Sequence, residues 1–127
     1  MIKIRKYDSD KRIDYIWYDS SNILYSECLD NENDFKTLKV VFKNGQSYIY
    51  KKVDVHDYVQ FVHGGLEGSN GKALNSIIKP KYEFEKGEKV DITELLQRGN
   101  DIIEEQKKLK ENETERKDKS TEEESAE

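Results

Sequence analysis

The stretch "KTLKVVFKNGQSYIYKKV" constrains the fold of this chain more than any other. Asn44-Gly45 stands at its centre, and this dipeptide is a strong hairpin-turn signal because both residue types tolerate positive φ. Apolar and aromatic residues alternate with polar ones on both sides of the turn, which is the period of a strand with one buried face. The stretch therefore predicts two antiparallel strands joined by a tight turn. The alternating positions are Leu38, Val40, Phe42, Tyr48 and Tyr50.

The segments around the hairpin predict a small α+β fold. Strands are expected in "MIKIRKY", "IDYIWY", "SSNILYSECL" and "KYEFEK", because β-branched and aromatic residues are frequent or alternate there. After the hairpin the period becomes helical, with Asp54 as the N-cap and Gly64-Gly65 at the end. A second short helix is expected from Gly71 to Ile78, before Pro80. We therefore expect an antiparallel β-sheet with two short helices. The helical spacing of the first helix comprises Val55, Tyr58, Val59 and Val62.

A further helix is expected at the C-terminal side of this unit. Asp91 is its expected N-cap, with Glu94 at the N3 position and with Val90 and Leu95 as a hydrophobic staple. Gly99-Asn100-Asp101 leaves two alternatives, a continuous helix or a helix broken in two, because glycine is a poor helix former. The fold prediction is therefore a small antiparallel sheet with two short helices and an added C-terminal helix.

The apolar stripe of this added helix has two interpretations. It either packs back over the sheet or joins chains, for example as an antiparallel helix pair in a dimer. We favour a homo-oligomer, because the preceding segments already make a complete domain. Beyond Leu109 no large apolar residue occurs, so residues 111–127 are expected to be a frayed helix or a disordered acidic tail. The stripe consists of Ile92, Leu95, Leu96, Ile102, Ile103 and Leu109.

Charge is distributed unevenly along the chain. Residues 1–90 hold fifteen basic and fourteen acidic side chains, whereas residues 91–127 hold seven and thirteen. The acidic character belongs to the C-terminal part, and the rest has no strong field that would attract or repel an anionic ligand. The single cysteine, Cys28, fits a reducing compartment, and no stretch is long and apolar enough to span a membrane. We therefore expect a cytoplasmic protein with no membrane partner.

Four blocks, in this order, resemble the KTSC domain, a small domain found alone in bacteria and phages and fused to some lysyl-tRNA synthetases. They are "SSNI", the hairpin, the aromatic residue Tyr58 of the first helix, and "SNGKALNSIIKPKY". The resemblance covers Ser20 to Phe84. It implies no agreed enzymatic activity, and the synthetase fusion implies binding of RNA or a nucleotide. The resulting division is an N-terminal strand extension (1–19), a KTSC-like domain (20–87), a C-terminal helix (88–110) and an acidic tail (111–127).

The block "SNGKALNSIIKPKY" is the candidate binding site. A glycine-rich turn that enters a helix presents backbone N–H groups to an anion, and Asn75 and Tyr82 offer an amide and a ring for stacking. It is not a Walker A loop, because Ala73 stands where a magnesium-binding Ser or Thr would be. The alternative is structural, with Ser69 as an N-cap, Gly71 relieving a turn and Asn75 bonding a buried backbone group. The candidate ligand-binding residues are Ser69, Gly71, Lys72, Asn75, Lys79, Lys81 and Tyr82.

The other reactive residues point away from catalysis. His56 and His63 lie about two turns apart on one predicted helix, without further ligands at metal-binding spacing. Cys28 has no base nearby in sequence, and no pair of carboxylates stands out as a general acid and base. The aromatic strand residues either pack against helices or stack on bases, and we favour packing. We therefore expect no enzymatic activity, no metal and no cofactor.

Two functions of different classes follow. The first is a non-enzymatic module that binds a nucleotide or RNA, and its phage form would be a sponge that sequesters a nucleotide immune signal. The second is a protein-binding inhibitor or adaptor, such as a phage anti-defence protein, that engages a host protein through its surface and C-terminal helix. The first function predicts that Lys72, Asn75, Lys79 and Tyr82 share one anion-facing edge.

Overall fold

Six segments form one antiparallel sheet, in which the strands neighbour one another in sequence order. The structure, a computed structural model, describes residues 2–30, 35–64 and 69–126, with side chains as far as residue 109. The predicted antiparallel sheet is confirmed. Its strands are β1 (Ile2–Asp8), β2 (Ile13–Tyr18), β3 (Ile23–Asp30), β4 (Phe35–Phe42), β5 (Ser47–Asp54) and β6 (Phe84–Lys86).

The β4–β5 hairpin forms where the sequence predicts it. The Phe42 N–H donates to the Gln46 carbonyl at 2.9 Å, and the Gly45 N–H donates back to the Phe42 carbonyl at 2.9 Å. Gly45 has a φ of 89°, whereas Asn44 does not take positive φ. The loop therefore has three residues and places only its glycine in the left-handed region, unlike a two-residue turn that needs both residues there.

Helix α1 (Val55–Val62) begins and ends as predicted. The Asp54 side chain accepts a hydrogen bond from the His56 N–H at 2.8 Å, and Gly64 follows the helix with a φ of 80°. Gly65 lies outside the described residues. The buried face differs from the predicted spacing, since Val55 and Val59 are exposed. Tyr58 and Val62 of the predicted set are buried. The buried face is completed by Asp57 and Phe61.

The predicted second helix begins in α-helical form and ends in π-helical form. Helix α2 covers Asn70–Ala73, and a π-helical segment continues it over Leu74–Ile78. The Lys79 N–H donates to the Leu74 carbonyl at 2.9 Å, which is the five-residue bond of a π-helix. Pro80 follows immediately and cannot donate a further helical bond. The sequence predicts the helix and its end, but not its change of pitch.

One face of the sheet is covered by α1, α2 and the π-helical segment. Asn70 is fully buried beneath them, and its amide donates to the carbonyls of Phe61 at 2.8 Å and Val62 at 3.0 Å. Both carbonyls belong to the last turn of α1, so Asn70 ties the two helical pieces together. The core of this face contains Ile16, Tyr18, Ile23, Leu38, Val40, Tyr50, Tyr58, Phe61, Leu74 and Ile78.

A buried carboxylate anchors α1 to the first two strands. Asp14 accepts two hydrogen bonds from the guanidinium of Arg5, at 3.1 and 2.8 Å, and one from the Tyr58 hydroxyl at 2.8 Å. A buried charge is tolerated only when it is paired and hydrogen-bonded, and this network meets both conditions. Sequence reasoning does not find it, because its three members are far apart in the chain.

Helix α3 (Ile92–Ala126) covers the other face of the sheet. The Asp91 carboxylate caps it by accepting from the Thr93 N–H at 3.0 Å and the Glu94 N–H at 3.3 Å. Leu95 is buried, and its carbonyl accepts from the Trp17 indole at 3.1 Å. The core of this face contains Ile4, Trp17, Leu24, Tyr25, Val41 and Leu95, with Val90, Ile92, Ile102 and Ile103 packed at its margin.

The structure settles one point about α3 that the sequence leaves open and corrects another. Gly99 does not break the helix, which is continuous through it. Part of the apolar stripe, Ile92, Leu95, Ile102 and Ile103, packs on the chain's own sheet, so the expectation of a domain that is complete without α3 is wrong. Leu96 and Leu109 of the same stripe stay exposed. The bounds of α3 also include residues 111–126, for which the sequence predicts a frayed helix or a disordered tail. The division of the chain at residue 110 stays a prediction.

The architecture is thus α+β, with two short helical pieces on one face of the sheet and the C-terminal helix on the other, as the fold prediction has it. No helix in the described part of the chain has an apolar stretch that could cross a membrane.

Gly99→Val should lower the free energy of unfolding by about 1–3 kcal/mol, the usual cost of overpacking. A Cβ at residue 99 would lie 3.0 Å from Trp17 Nε1 and 3.3 Å from Ile4 Cδ1, so a larger side chain pushes α3 off the sheet. The matched control is Asn100→Val at the next, exposed position, which should change stability by less than about 0.5 kcal/mol. Urea denaturation measures both variants, and equal stabilities would contradict the close approach of α3.

Candidate functional site

Three of the predicted site residues line a groove at the turn end of the β4–β5 hairpin. Gly71, Asn75 and Lys79 come from α2, the π-helical segment and the residue that follows it. The opposite wall is formed by the hairpin turn and by the residue before β3. This polar groove has a volume of about 320 Å³. Its lining consists of Asn22, Phe42, Lys43, Asn44, Gly71, Leu74, Asn75 and Lys79.

The polar groove carries positive charge without a compensating carboxylate in its lining. Neither Lys43 nor Lys79 forms an ion pair with any residue that the structure describes. The Asn44 side-chain oxygen accepts from the Gln46 N–H at 3.0 Å, which leaves the NH₂ group of Asn44 to donate elsewhere. The groove therefore combines two ammonium groups with amide donors, a combination that suits phosphate and other oxyanions.

The backbone of the "GSNGK" turn contributes less to anion binding than the sequence suggests. Helix α2 has four residues, and the Lys72 N–H is directed to the Ser69 hydroxyl at 3.5 Å as an N-cap bond. Gly71 does not take positive φ, and a Cβ there would meet only Ser69 Oγ at 3.8 Å. The Lys72 side chain is exposed and does not line the polar groove. Charge at this site therefore comes from Lys43 and Lys79.

Asn75 does not have the structural role that the alternative reading assigns to it. Its side chain is exposed and lines the polar groove. The asparagine that bonds buried backbone carbonyls is Asn70, five residues earlier. The two asparagines of this block thus have different roles. Asn70 is buried and bonds the backbone, whereas Asn75 is exposed in the polar groove.

Lys81 and Tyr82 lie away from the polar groove and hold the first turn of α1. The Tyr82 hydroxyl donates to Asp57 Oδ2 at 2.7 Å and accepts from the Asp54 N–H at 3.0 Å. The Lys81 ammonium lies 3.3 Å from the same carboxylate. The predicted edge that joins Lys72, Asn75, Lys79 and Tyr82 is therefore divided, and the geometry gives Tyr82 a structural role in place of base stacking.

These contacts change the acidity of Asp57. Burial alone would raise the pKa of Asp57, but the hydrogen bonds from Tyr82 and Lys81 and the charge of Lys81 outweigh it and lower the pKa below its ordinary value. The carboxylate form is thereby favoured in the folded chain, where it ties α1 to the segment after the π-helical turn.

A second groove adjoins the first and is mainly aromatic. This aromatic groove has a volume of about 380 Å³ and shares Phe42, Asn44 and Lys79 with the polar groove. Its rings form a continuous row, in which Phe42 contacts Tyr48 at 5.5 Å between centroids and Tyr48 contacts Phe84 at 5.3 Å. Both contacts are edge-on, with interplanar angles of 84° and 81°. The remaining lining residues are Gln46 and Tyr50.

Sequence reasoning missed the residues that complete the site. Asn22 and Lys43 are brought together by a hydrogen bond of 2.8 Å from the Lys43 N–H to the Asn22 carbonyl, which links the start of β3 to the hairpin turn. The sequence identifies Asn44 only as a turn residue and Phe84 only as part of a short strand. No local pattern identifies them, because their proximity comes from the pairing of β3, β4, β5 and β6.

The other reactive side chains that the sequence singles out are Cys28, His56 and His63. Burial raises the pKa of the Cys28 thiol to about 12, which keeps it protonated and unreactive at neutral pH. His56 contacts the Gln60 amide at 3.0 Å, and His63 is exposed beyond the end of α1. No three metal-ligating side chains cluster within the described ranges.

No family model matches the chain, and no curated protein is significantly similar to it. The resemblance to the KTSC domain therefore stays a prediction.

Tyr82→Phe should lower the free energy of unfolding at neutral pH by about 1–3 kcal/mol, because the Asp57 carboxylate and the Asp54 N–H lose a shared partner. The pKa of Asp57 is lower in the folded chain than in the unfolded chain, so its contribution is present above the unfolded value of about 3.9 and is lost as the pH falls through the folded value. The difference between wild type and variant should therefore shrink in acid. Urea denaturation at a series of pH values measures it.

The control for this variant is Tyr7→Phe, which removes the hydroxyl of an exposed tyrosine on β1. It should leave stability unchanged at every pH. If Tyr82→Phe is as stable as Tyr7→Phe, Tyr82 does not hold α1, and its role in ligand binding has to be considered again.

Proposed function

We propose that this protein is a non-enzymatic module that binds a nucleotide or RNA ligand in the polar groove. The observation that carries the proposal is the convergence of Lys43 and Lys79, both without ion-pair partners among the described residues, on a groove with no carboxylate in its lining. These two ammonium groups, which form no ion pair with a described residue, favour a phosphate group because each can donate charge-assisted hydrogen bonds to it. The asparagine amides of the groove add neutral donors to the same region.

The polar groove adjoins the aromatic groove, and this position favours a ligand that has an aromatic part. Lys79 lines both the polar groove and the aromatic groove, so one ligand can contact both. Nucleotides combine a phosphate with a flat ring, and base stacking on aromatic side chains is the common way in which proteins bind single-stranded nucleic acids. Sugar phosphates and inorganic anions would use only the polar half.

Binding without catalysis agrees with the chemistry of the lining. The polar groove offers ammonium and amide groups but, among its lining residues, no histidine, carboxylate or thiol to transfer a proton or attack a phosphate. The specific form of this proposal is a phage sponge that sequesters a nucleotide immune signal in the host cytoplasm.

The alternative function is a protein-binding inhibitor or adaptor that acts on a host protein through its surface and α3. Packing of Leu95 and its neighbours against the sheet leaves that helix with less apolar surface for a partner. The nucleotide proposal does not depend on α3, and we therefore prefer it.

Lys43→Ala and Lys79→Ala should each weaken nucleotide binding about tenfold or more, since a hydrogen bond to a charged group contributes about 1.5–3 kcal/mol. Neither variant should alter basal stability, because both side chains are exposed. The matched control is Lys72→Ala, which removes the same charge from a neighbouring exposed position outside the groove. Melting curves and calorimetry with a panel of nucleotides and short RNAs measure the effect, which should weaken with added salt.

Equal losses of affinity in all three variants would contradict the proposal, because they would reflect general electrostatic attraction. Absence of any thermal shift with the whole panel would also overturn it, since a ligand at 100 times its dissociation constant stabilises by about 2.7 kcal/mol.

We also propose that the protein forms a homo-oligomer through α3. The contact surface would consist of the apolar side chains of α3 that do not pack on the sheet. Leu96 is 44% exposed and Leu109 is 62% exposed. Replacement of both by glutamate should reduce the molar mass measured by light scattering to that of one chain, 15.0 kDa. Asn100→Glu, also exposed on α3, is the control for added charge. A wild-type mass of 15.0 kDa at high concentration would contradict assembly.

A further inference from the structure

We propose that the aromatic groove is the nucleobase subsite of the same ligand, which makes the ligand a nucleoside phosphate whose base offers a hydrogen-bond donor to Gln46. This inference rests on the proposed function, because it requires a phosphate in the polar groove. Lys79 lines both grooves and marks the point where the base-bearing part of the ligand meets its charged part.

Phe84 is the principal stacking residue of this subsite. It lies on β6, a strand of only three residues, and its side chain is 58% exposed despite contacts with two tyrosine rings. Tyr48 meets it at 5.3 Å with an interplanar angle of 81°, and Tyr50 meets it at 6.1 Å with an angle of 53°. These inclined contacts fix the ring while leaving ring surface accessible. A flat base that covers this surface removes apolar area from water and gains stacking.

Gln46 gives the subsite a means to read the edge of the base. Its NH₂ group lies 3.3 Å from the Ser47 carbonyl and 3.4 Å from the Gly87 carbonyl. Both partners are acceptors, so only the NH₂ side of the amide can face them. The side-chain oxygen of Gln46 is therefore the atom that remains for a ligand. An acceptor at this position pairs with a donor on the edge of a base, either an exocyclic amino group, as in adenine or cytosine, or a ring N–H, as in uracil.

Two sources can supply this chemistry, a free nucleotide and an unpaired residue of single-stranded RNA. Both present a base beside a phosphate, and the aromatic row accepts either. The two grooves are open to the surface through exposed residues, which include Lys43, Asn75 and Phe84. The experiment therefore compares adenosine monophosphate with oligoadenylate.

The test uses the full chain and measures dissociation constants by calorimetry, or by NMR titration into the millimolar range. The probes are adenosine monophosphate, uridine monophosphate, ribose 5-phosphate and oligoadenylate. Phe84→Ala should weaken binding of adenosine monophosphate about tenfold or more and leave binding of ribose 5-phosphate unchanged. Phe84→Trp should retain binding, since it keeps a stacking ring. Tyr7→Ala is the matched control, because it removes an aromatic ring of similar exposure, 55%, from the far edge strand.

The role of Gln46 is tested separately with Gln46→Met, which keeps the length of the side chain and removes its amide. The variant should bind adenosine monophosphate and uridine monophosphate more weakly than wild type does, and it should bind ribose 5-phosphate equally well. Because the amide also donates to the Ser47 and Gly87 carbonyls, the stability of the variant is measured beside its binding. Unchanged binding of both nucleotides by the variant would overturn the assignment of Gln46.

The outcomes separate this inference from the proposed function. If Lys79→Ala weakens binding of adenosine monophosphate and Phe84→Ala does not, the base subsite is wrong and the nucleotide function stands. If neither adenosine monophosphate nor oligoadenylate binds in the millimolar range, both are wrong. Tighter binding of oligoadenylate identifies RNA as the source, and tighter binding of the mononucleotide identifies a free nucleotide; sensitivity to Phe84→Ala supports the subsite in both cases.

Discussion

The central strands of this protein are buried on both faces, and the rest of the structure depends on this constraint. Ile16, Trp17 and Tyr18 are consecutive in β2 and all are buried, which is impossible for a sheet with one solvated face. Alternate side chains of one strand point to opposite faces, so Trp17 requires a cover that α1 and α2 cannot provide. Helix α3 supplies it, and Gly99 lets the helix come within contact of the Trp17 ring.

The same arrangement explains where the grooves lie. The strands β2 to β4 are covered by helices, whereas β6 is a short edge strand whose three residues are all exposed. Aromatic side chains that continue the core pattern onto this edge are therefore only partly covered. The π-helical segment ends beside the hairpin turn, so Lys79 reaches the region where Lys43 and Asn44 leave the sheet. Both grooves are consequences of where the helices end.

Local signals in the sequence predict the local features well. The hairpin, the Asp54, Ser69 and Asp91 caps and the end of α1 depend on neighbouring residues, and the structure confirms them. Features that depend on distant residues were not predictable in this way. In the sequence, Gly99 looks like a helix breaker, and only its contact with Trp17 explains why a glycine is needed there. The continuous run "IWY" is the sequence signal for a sheet that is buried on both faces. The π-helical pitch has no local signature in this sequence.

The block "SNGKALNSIIKPKY" shows why spacing alone could not divide the site into structural and binding residues. Ser69, Asn70, Lys81 and Tyr82 direct their polar atoms to other groups of the chain, which fixes their positions and uses their hydrogen-bonding capacity. Asn75 and Lys79 are exposed on one groove together with Lys43. A polar side chain that the fold already satisfies has little left to offer a ligand. The polar side chains of this block that the fold leaves open to a ligand in the polar groove are therefore those of Asn75 and Lys79.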